Sequence, residues 1–250
     1  MSYNNGSQIV KNGLVCYLDA SNTKSYPGSG TTWYDLSKNN NHGSISLGEF
    51  INVGPSSYIR NTGGVSDFFT VTVANSTSLN TALTTTTGGW TIEEIIWTNS
   101  VTYPEADAGS VASSPAYGVG ATGFDWNHGI VNTSFKFGQA SNSAGGYEDD
   151  VTISVGAPYN SLNAWRVRTM IWNRGANTNY LYINGALIGT ASTPNTAGTA
   201  IYDGDGIIFG SLYGWKHNGR RASIKIYNFP FTSTQVATNF AAFKYRFGLS

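Results

Sequence analysis

The residues able to do chemistry in this chain are few, and their spacing argues against catalysis. Glycoside cleavage needs two carboxyls about 5–5.5 Å apart for retention, or about 6.5–9.5 Å apart for inversion. Glu93 and Glu94 are the first pair to weigh, within Trp90-Thr-Ile-Glu-Glu-Ile-Ile-Trp97. That segment reads as a strand, where adjacent side chains point to opposite faces, so the two carboxylates are structural and do not work as a pair. Glu148 and Asp150 are two apart and can share a face, but Gly145-Gly146 before them signals a solvated loop with no third carboxylate near. Tyr and Arg are plentiful, yet no motif places them for the proton abstraction of a lyase. The chain is expected not to be an enzyme.

Metal chemistry is equally thin. Asp203-Gly-Asp205-Gly holds two carboxylates in a bent loop, but calcium takes about six to eight oxygen ligands. The segment reads as a solvated turn; no cofactor is expected, and Ca²⁺ at Asp203 and Asp205 is the one weak candidate. His42, His128 and His217 stand singly without cysteine partners, which argues against zinc. Cys16, the single cysteine, sits mid-strand between Val15 and Tyr17 and reads as a reduced, structural thiol.

Aromatic residues are the remaining resource. Those inside apolar strands belong to a core, whereas Asp125-Trp126-Asn127-His128 and Trp215-Lys-His-Asn218 are flanked by polar, turn-forming residues. An aromatic face beside Asn and Asp side chains can stack a sugar ring and bind its hydroxyls. Trp126, His128, Trp215, His217 and Asn218 are therefore the candidate carbohydrate- or partner-binding residues, expected in loops at one edge of the fold. Filling of loop cores and contact with a neighbouring subunit remain open for the same residues.

The elements that must position these residues are mostly strands. At 250 residues the chain fits one all-β domain. It carries 14 Lys+Arg against 14 Asp+Glu, and only 11% of its residues are charged. It thus lacks the basic footprint of a nucleic-acid or anionic-membrane binder, and no apolar run approaches the roughly 20 residues of a bilayer span. Short apolar runs between Gly, Asn, Ser and Pro clusters are expected to form many strands, among them Leu14–Asp19, Glu49–Val53, Ala116–Gly120, Trp165–Asn173 and Arg221–Tyr227. Asn184-Gly185 between two of them is a hairpin signal, because both residues tolerate positive φ. Near the end, Thr232 and Gln235 make a capping box, Phe231 and Val236 a hydrophobic staple. Val236, Phe240, Phe243 and Phe247 form one helical stripe, and Gly248 a stop.

Several segments resemble a known family. Asn12 to Ile45, with its Trp33-Tyr34-Asp35 turn and His42-Gly43, is similar to the opening of the laminin-G/concanavalin A-like lectin and glucanase domains of bacteriophage virion proteins. Trp90-Thr-Ile-Glu93, Ala164–Trp172, Asn179–Gly185, Lys225–Asn228 and Thr232–Leu249 resemble later motifs of that family, in family order. The resemblance implies a concanavalin A-like jelly-roll sandwich of two antiparallel sheets with one short C-terminal helix. It implies an arm over residues 1–12 and the sandwich over 13–250. Met1–Val10 lacks the basic and apolar regions of a secretory signal, which fits a virion protein made in the host cytoplasm and released by lysis. The expected function is that of a non-catalytic structural protein on a phage particle, as capsid decoration, short fibre or knob. A tail-fibre adhesin is the alternative and a glycan hydrolase or lyase the third reading. Other virion proteins held through the polar arm, further copies of the chain and a host surface glycan are the expected partners.

Overall fold

The computed structural model describes residues 8–61, 70–74, 76–83, 88–99, 126–129, 134–137, 151–155, 163–192, 207–210 and 219–250. Strands β1 (Leu14–Asp19), β2 (Thr32–Trp33), β3 (Gly43–Ser46), β4 (Gly48–Ile51) and β5 (Tyr58–Asn61) come first. After β6 (Thr70–Val73) and a helix α1 (Thr77–Leu83) follow β7 (Gly89–Thr98), β8 (Trp126–Gly129), β9 (Ser134–Phe137) and β10 (Val151–Ser154). The chain continues through β11 (Trp165–Asn173), β12 (Thr178–Ile183), β13 (Ala186–Ser192), β14 (Ile207–Gly210) and β15 (Gly219–Tyr227). Helix α2 (Ser233–Phe243) then runs into a 3₁₀ turn over Lys244–Phe247.

These strands pair antiparallel throughout. The large sheet is ordered β13-β12-β11-β7-β15-β5-β4, with β1 added to β15. A bulge makes that branching possible: Arg221 pairs Ile96 and Ser223 pairs Ile95, leaving Ala222 as the extra residue. Before the bulge the free edge of β15 takes β5 at Arg220 and Arg221; beyond it, from Ser223 to Tyr227, it takes β1. An extra residue bends a strand and raises its twist, which lets one edge serve two partners. A second sheet runs β14-β6-β3-β2, and β10-β9-β8 forms a smaller three-stranded sheet.

Alternation in the long central strands sends side chains to both faces, and both faces are covered. On the inner face Trp90, Ile92, Met170, Trp172, Leu181, Ile224 and Ile226 meet Trp33, Ile45, Val71, Val73, Ile207 and Phe209 of the second sheet. Trp90 and Trp172 are cross-strand partners, their rings nearly parallel with centroids 6.1 Å apart. On the outer face lies α2, whose Val236 and Phe243 are buried, with Phe247 in the following turn. The expected capping box is present, Thr232 and Gln235 each accepting from the other's backbone N–H. Gly248 ends the turn in the left-handed region, at φ 64°. The thiol of Cys16 is fully buried, donates to the Asn41 carbonyl at 3.3 Å, and is pushed up by burial and by Asp35.

The Asn184-Gly185 hairpin joins β12 to β13 with φ of 52° and 77°. Its tip is fastened: Val167 N–H donates to Asn184 Oδ1 at 2.9 Å, and Asn184 N–H to the Val167 carbonyl at 2.8 Å. A Cβ on Gly185 would lie 2.8 Å from Phe240 Cδ1 of α2. Gly185→Ala therefore adds a contact problem to the left-handed strain of about 1–2 kcal/mol. Gly248→Ala carries the strain alone, since nothing lies within 4 Å of its would-be Cβ. Thermal melts should show the larger loss in Gly185→Ala; equal losses would mean that Phe240 gives way freely.

Several expectations change. β2, β3 and α1 are too short and too polar to announce themselves, and they form because the sheets and core supply their partners. Glu49–Val53 shortens to β4, and Ala116–Gly120 lies outside the described residues. A polar arm is expected over residues 1–12. Its C-terminal end does pack: Ile9 joins the cluster around Phe243 and Phe247, Val10 joins that around Tyr227 and Val236. Val10 N–H also donates to Asn239 Oδ1 at 2.8 Å, so two apolar residues suffice to fasten a polar segment.

Candidate ligand-binding cleft

A cleft of about 800 Å³ opens where the β1–β2 loop faces β4 and the 3₁₀ turn at Gly54–Ser56. Local hydrogen bonds shape its walls. Asn22 Oδ1 accepts from Lys24 N–H at 3.0 Å, and the Asn22 carbonyl accepts from Ser25 and Tyr26 N–H, both at 2.8 Å. That turn presents Tyr26 to Phe50 of β4, ring centroids 4.9 Å apart, while the Tyr26 hydroxyl donates to the Gly30 carbonyl at 2.7 Å. Opposite, Asn52 Oδ1 accepts from Gly54 N–H at 3.1 Å.

The floor is an ion pair. Arg246 Nη1 and Nη2 grip the two oxygens of Asp19 at 2.9 Å each, Nε donates to the Pro55 carbonyl at 2.7 Å, and Nη2 also donates to Ser21 Oγ. The Tyr17 hydroxyl donates to Asp19 Oδ2 at 2.9 Å. Burial pushes the Asp19 carboxyl up, but the hydrogen bonds and charge of Arg246, with Ser21 and Tyr17, outweigh it and hold the group below its ordinary value. Burial likewise pulls Arg246 down, and Asp19 more than reverses it.

Two further charged clusters lie in the sandwich, one on each side of β7. Towards α2, Glu93 Oε1 accepts from Lys225 Nζ at 2.8 Å and from Asn239 Nδ2 at 3.4 Å, while Thr169 Oγ1 donates to Oε2 at 3.3 Å. Lys225 Nζ also stands 3.7 Å from the centre of the Phe243 ring. Towards the second sheet, Glu94 takes a hydrogen bond from Arg168 and faces Arg221 Nε at 3.5 Å. Arg221 is pushed down to about 10 by burial and by Arg168, with Glu94 opposing. Arg166 falls to about 10 from burial and from the same Arg168. Each glutamate thus has its own cations on its own face, as strand alternation requires.

Of the binding residues singled out from sequence, Trp126 and His128 are among the described residues. Trp126 and His128 lie on β8, where they pair with Phe137 and Phe135 of β9, and not in a loop as expected. Trp215, His217, Asn218, Asp203, Asp205, Glu148 and Asp150 fall outside the described residues. Among the described residues no three His, Cys, Asp or Glu side chains gather as a metal site. The cleft itself was missed. Arg246 stands beside Phe247 of the expected C-terminal stripe, and no local sequence signal ties it to Asp19.

This arrangement defines a concanavalin A-like β-sandwich of antiparallel sheets. The chain is similar to the binding domain of Paraclostridial Mosquitocidal Protein 1, with TM-score 0.62 and 18% identity over 92% of this chain and 52% of that one. It is also similar to the binding domain of Botulinum neurotoxin DC in complex with rat synaptotagmin II, with TM-score 0.64 and 16% identity over 92% and 52%. Trypanosoma rangeli sialidase in complex with sialic acid matches with TM-score 0.60 and 11% identity, over 94% of this chain and 33% of that one. The chain spans about half the length of the toxin domains. No family model and no curated protein sequence matches it.

Proposed function

We propose that this chain is a non-catalytic β-sandwich that binds a glycan, carried on the outside of a bacteriophage particle as decoration, short fibre or knob. The observation that carries the binding role is the cleft: about 800 Å³, within the range of roughly 300–1,000 Å³ of small-molecule sites. Its Phe50 wall stands beside exposed Asn22 and Asn52. An apolar ring next to amide donors and acceptors suits the two-sided character of a sugar. Glu93 and Glu94 are each held by cations on opposite faces of β7, which supports the non-enzyme reading. The binding domain of Botulinum neurotoxin DC, part of which is similar to this chain, is solved in complex with rat synaptotagmin II and with SialylT. The virion setting rests on the motifs that follow in family order from Asn12 to Leu249, and the polar arm is the segment proposed to reach other virion proteins. A tail-fibre adhesin uses the same cleft at another place in the particle.

A glycan array with the whole chain tests the binding role, and antibody labelling of purified particles tests the setting. Binding should survive EDTA and fall about tenfold or more in Phe50→Ala, the loss of one good contact. Trp126→Ala and Trp215→Ala, run beside it, report whether the earlier candidates share the work. Release of reducing ends from a bound polysaccharide, abolished in Glu94→Gln, would overturn the non-enzyme reading. An array blank for every glycan would overturn the binding role.

A further inference from the structure

We propose that the cleft selects a neutral saccharide, such as a hexose or N-acetylhexosamine unit, and rejects sialylated or uronic-acid glycans. This rests on the reading of the cleft as a glycan site and narrows it. Recognition of a carboxylate calls for a guanidinium with free donors, because the strong geometry is a two-pronged, charge-assisted one. Among the described residues lining the cleft Arg246 is the one cation, and it is committed. Both prongs go to Asp19, Nε goes to the Pro55 carbonyl, and Nη2 is shared with Ser21. Four of its five N–H groups therefore have acceptors inside the protein. The pair is electrically neutral, so an incoming carboxylate meets no net positive charge and stands beside the Asp19 carboxylate.

What the cleft does offer is neutral. Asn22 and Asn52 are exposed, and each uses its Oδ1 to shape a turn. Each side chain also carries an NH₂ group, and the two residues line the cleft from the β1–β2 loop and from the segment after β4. Thr23 adds an exposed hydroxyl, and Phe50, half-buried against Tyr26, adds an apolar edge. Amide and hydroxyl groups on both walls with an apolar surface between them match a ring that carries hydroxyls at its rim and C–H groups on its face. A site built to hydrogen-bond hydroxyls discriminates by leaving its own polar groups unpaired when they are missing.

The test uses matched glycans that differ only in a terminal sialic or uronic acid, with the intact chain and four variants. The neutral member of each pair should bind better by about tenfold or more. Asn22→Ala and Asn52→Ala should each lower neutral binding several-fold, with the melting temperature lowered by no more than the loss of an exposed turn hydrogen bond. Asn52→Lys, which puts a free cation on the rim, should raise binding of the acidic member. Arg246→Lys serves as the fourth arm, with its fold checked by circular dichroism. Preference for the acidic member, lost in Arg246→Lys, would overturn the proposal and leave glycan binding standing. Neutral binding that ignores both asparagine variants would place the site elsewhere and also overturn it. Absence of any binding would remove the broader reading together with this one.

Discussion

Glu93→Gln should cost about 3–5 kcal/mol of stability, the usual consequence of leaving one partner of a buried ion pair alone. Glu93 and Lys225 are both fully buried, 2.8 Å apart, between the large sheet and α2. The glutamine keeps the shape and an acceptor oxygen for Asn239 but removes the charge that compensates Lys225. Lys225 is already held below its ordinary value, by burial against the pull of Glu93. In the window between that lowered value and the unfolded value of about 10.4, the unfolded chain binds more protons, so stability rises with pH. Without Glu93 the window should extend further down, and denaturant melts of Glu93→Gln should improve more steeply between neutral and alkaline pH than those of the unaltered chain. The double variant Glu93→Leu with Lys225→Met should recover most of the loss, because apolar replacement of a whole buried pair is often neutral or stabilising. A single-variant loss under about 1 kcal/mol, or no recovery in the double, would show that the pair is not the fastening between sheet and helix.

Much of this frame was legible before the structure. β11 was found with its bounds because Trp165-Arg-Val-Arg-Thr-Met-Ile-Trp-Asn173 is long, apolar and β-branched enough to need no tertiary help. The hairpin at Asn184 and the capping box at Thr232 are local chemistry, fixed by residues within three positions of each other. What local chemistry does not reach went unseen. β2 is two residues long and is a strand only because Thr32 and Trp33 pair with Ser44 and Gly43. The polar neighbours of Trp126 read as a loop, whereas β8 is paired residue by residue with β9, a partner that local sequence does not reveal. Asn239 stands inside the apolar stripe of α2, where a lone amide reads as an intrusion. Its partners, the Tyr227 hydroxyl, Glu93 and Val10 N–H, come from three other segments. Opposite pointing of Glu93 and Glu94 was readable from strand geometry, but the identity of their cations was not.

The cleft illustrates the same limit, since Asp19 and Arg246 are 227 positions apart. That distance also makes Asp19→Asn the most telling substitution for function. Loss of the charge-assisted grip on Arg246 should cost about 1.5–3 kcal/mol at neutral pH. The sign of its pH dependence follows from the lowered carboxyl. Asp19 contributes stability that is fully present above the unfolded value of about 3.9 and is lost as pH falls through the lower folded value. The gap between the unaltered chain and Asp19→Asn should therefore stay constant from neutral pH to about pH 5 and close only below about pH 4. Binding should change in the other direction. Arg246 keeps Pro55 and Ser21 as anchors but gains a net charge and free donors towards the cleft, so Asp19→Asn should acquire affinity for the sialylated member of a matched glycan pair while losing none for the neutral one. Melts at stepped pH and the glycan array read these two consequences from one protein. A gap that persists unchanged to pH 2 would remove Asp19 as the titrating group. A cleft still blind to acidic glycans in a folded Asp19→Asn would show that something other than the occupied guanidinium keeps them out.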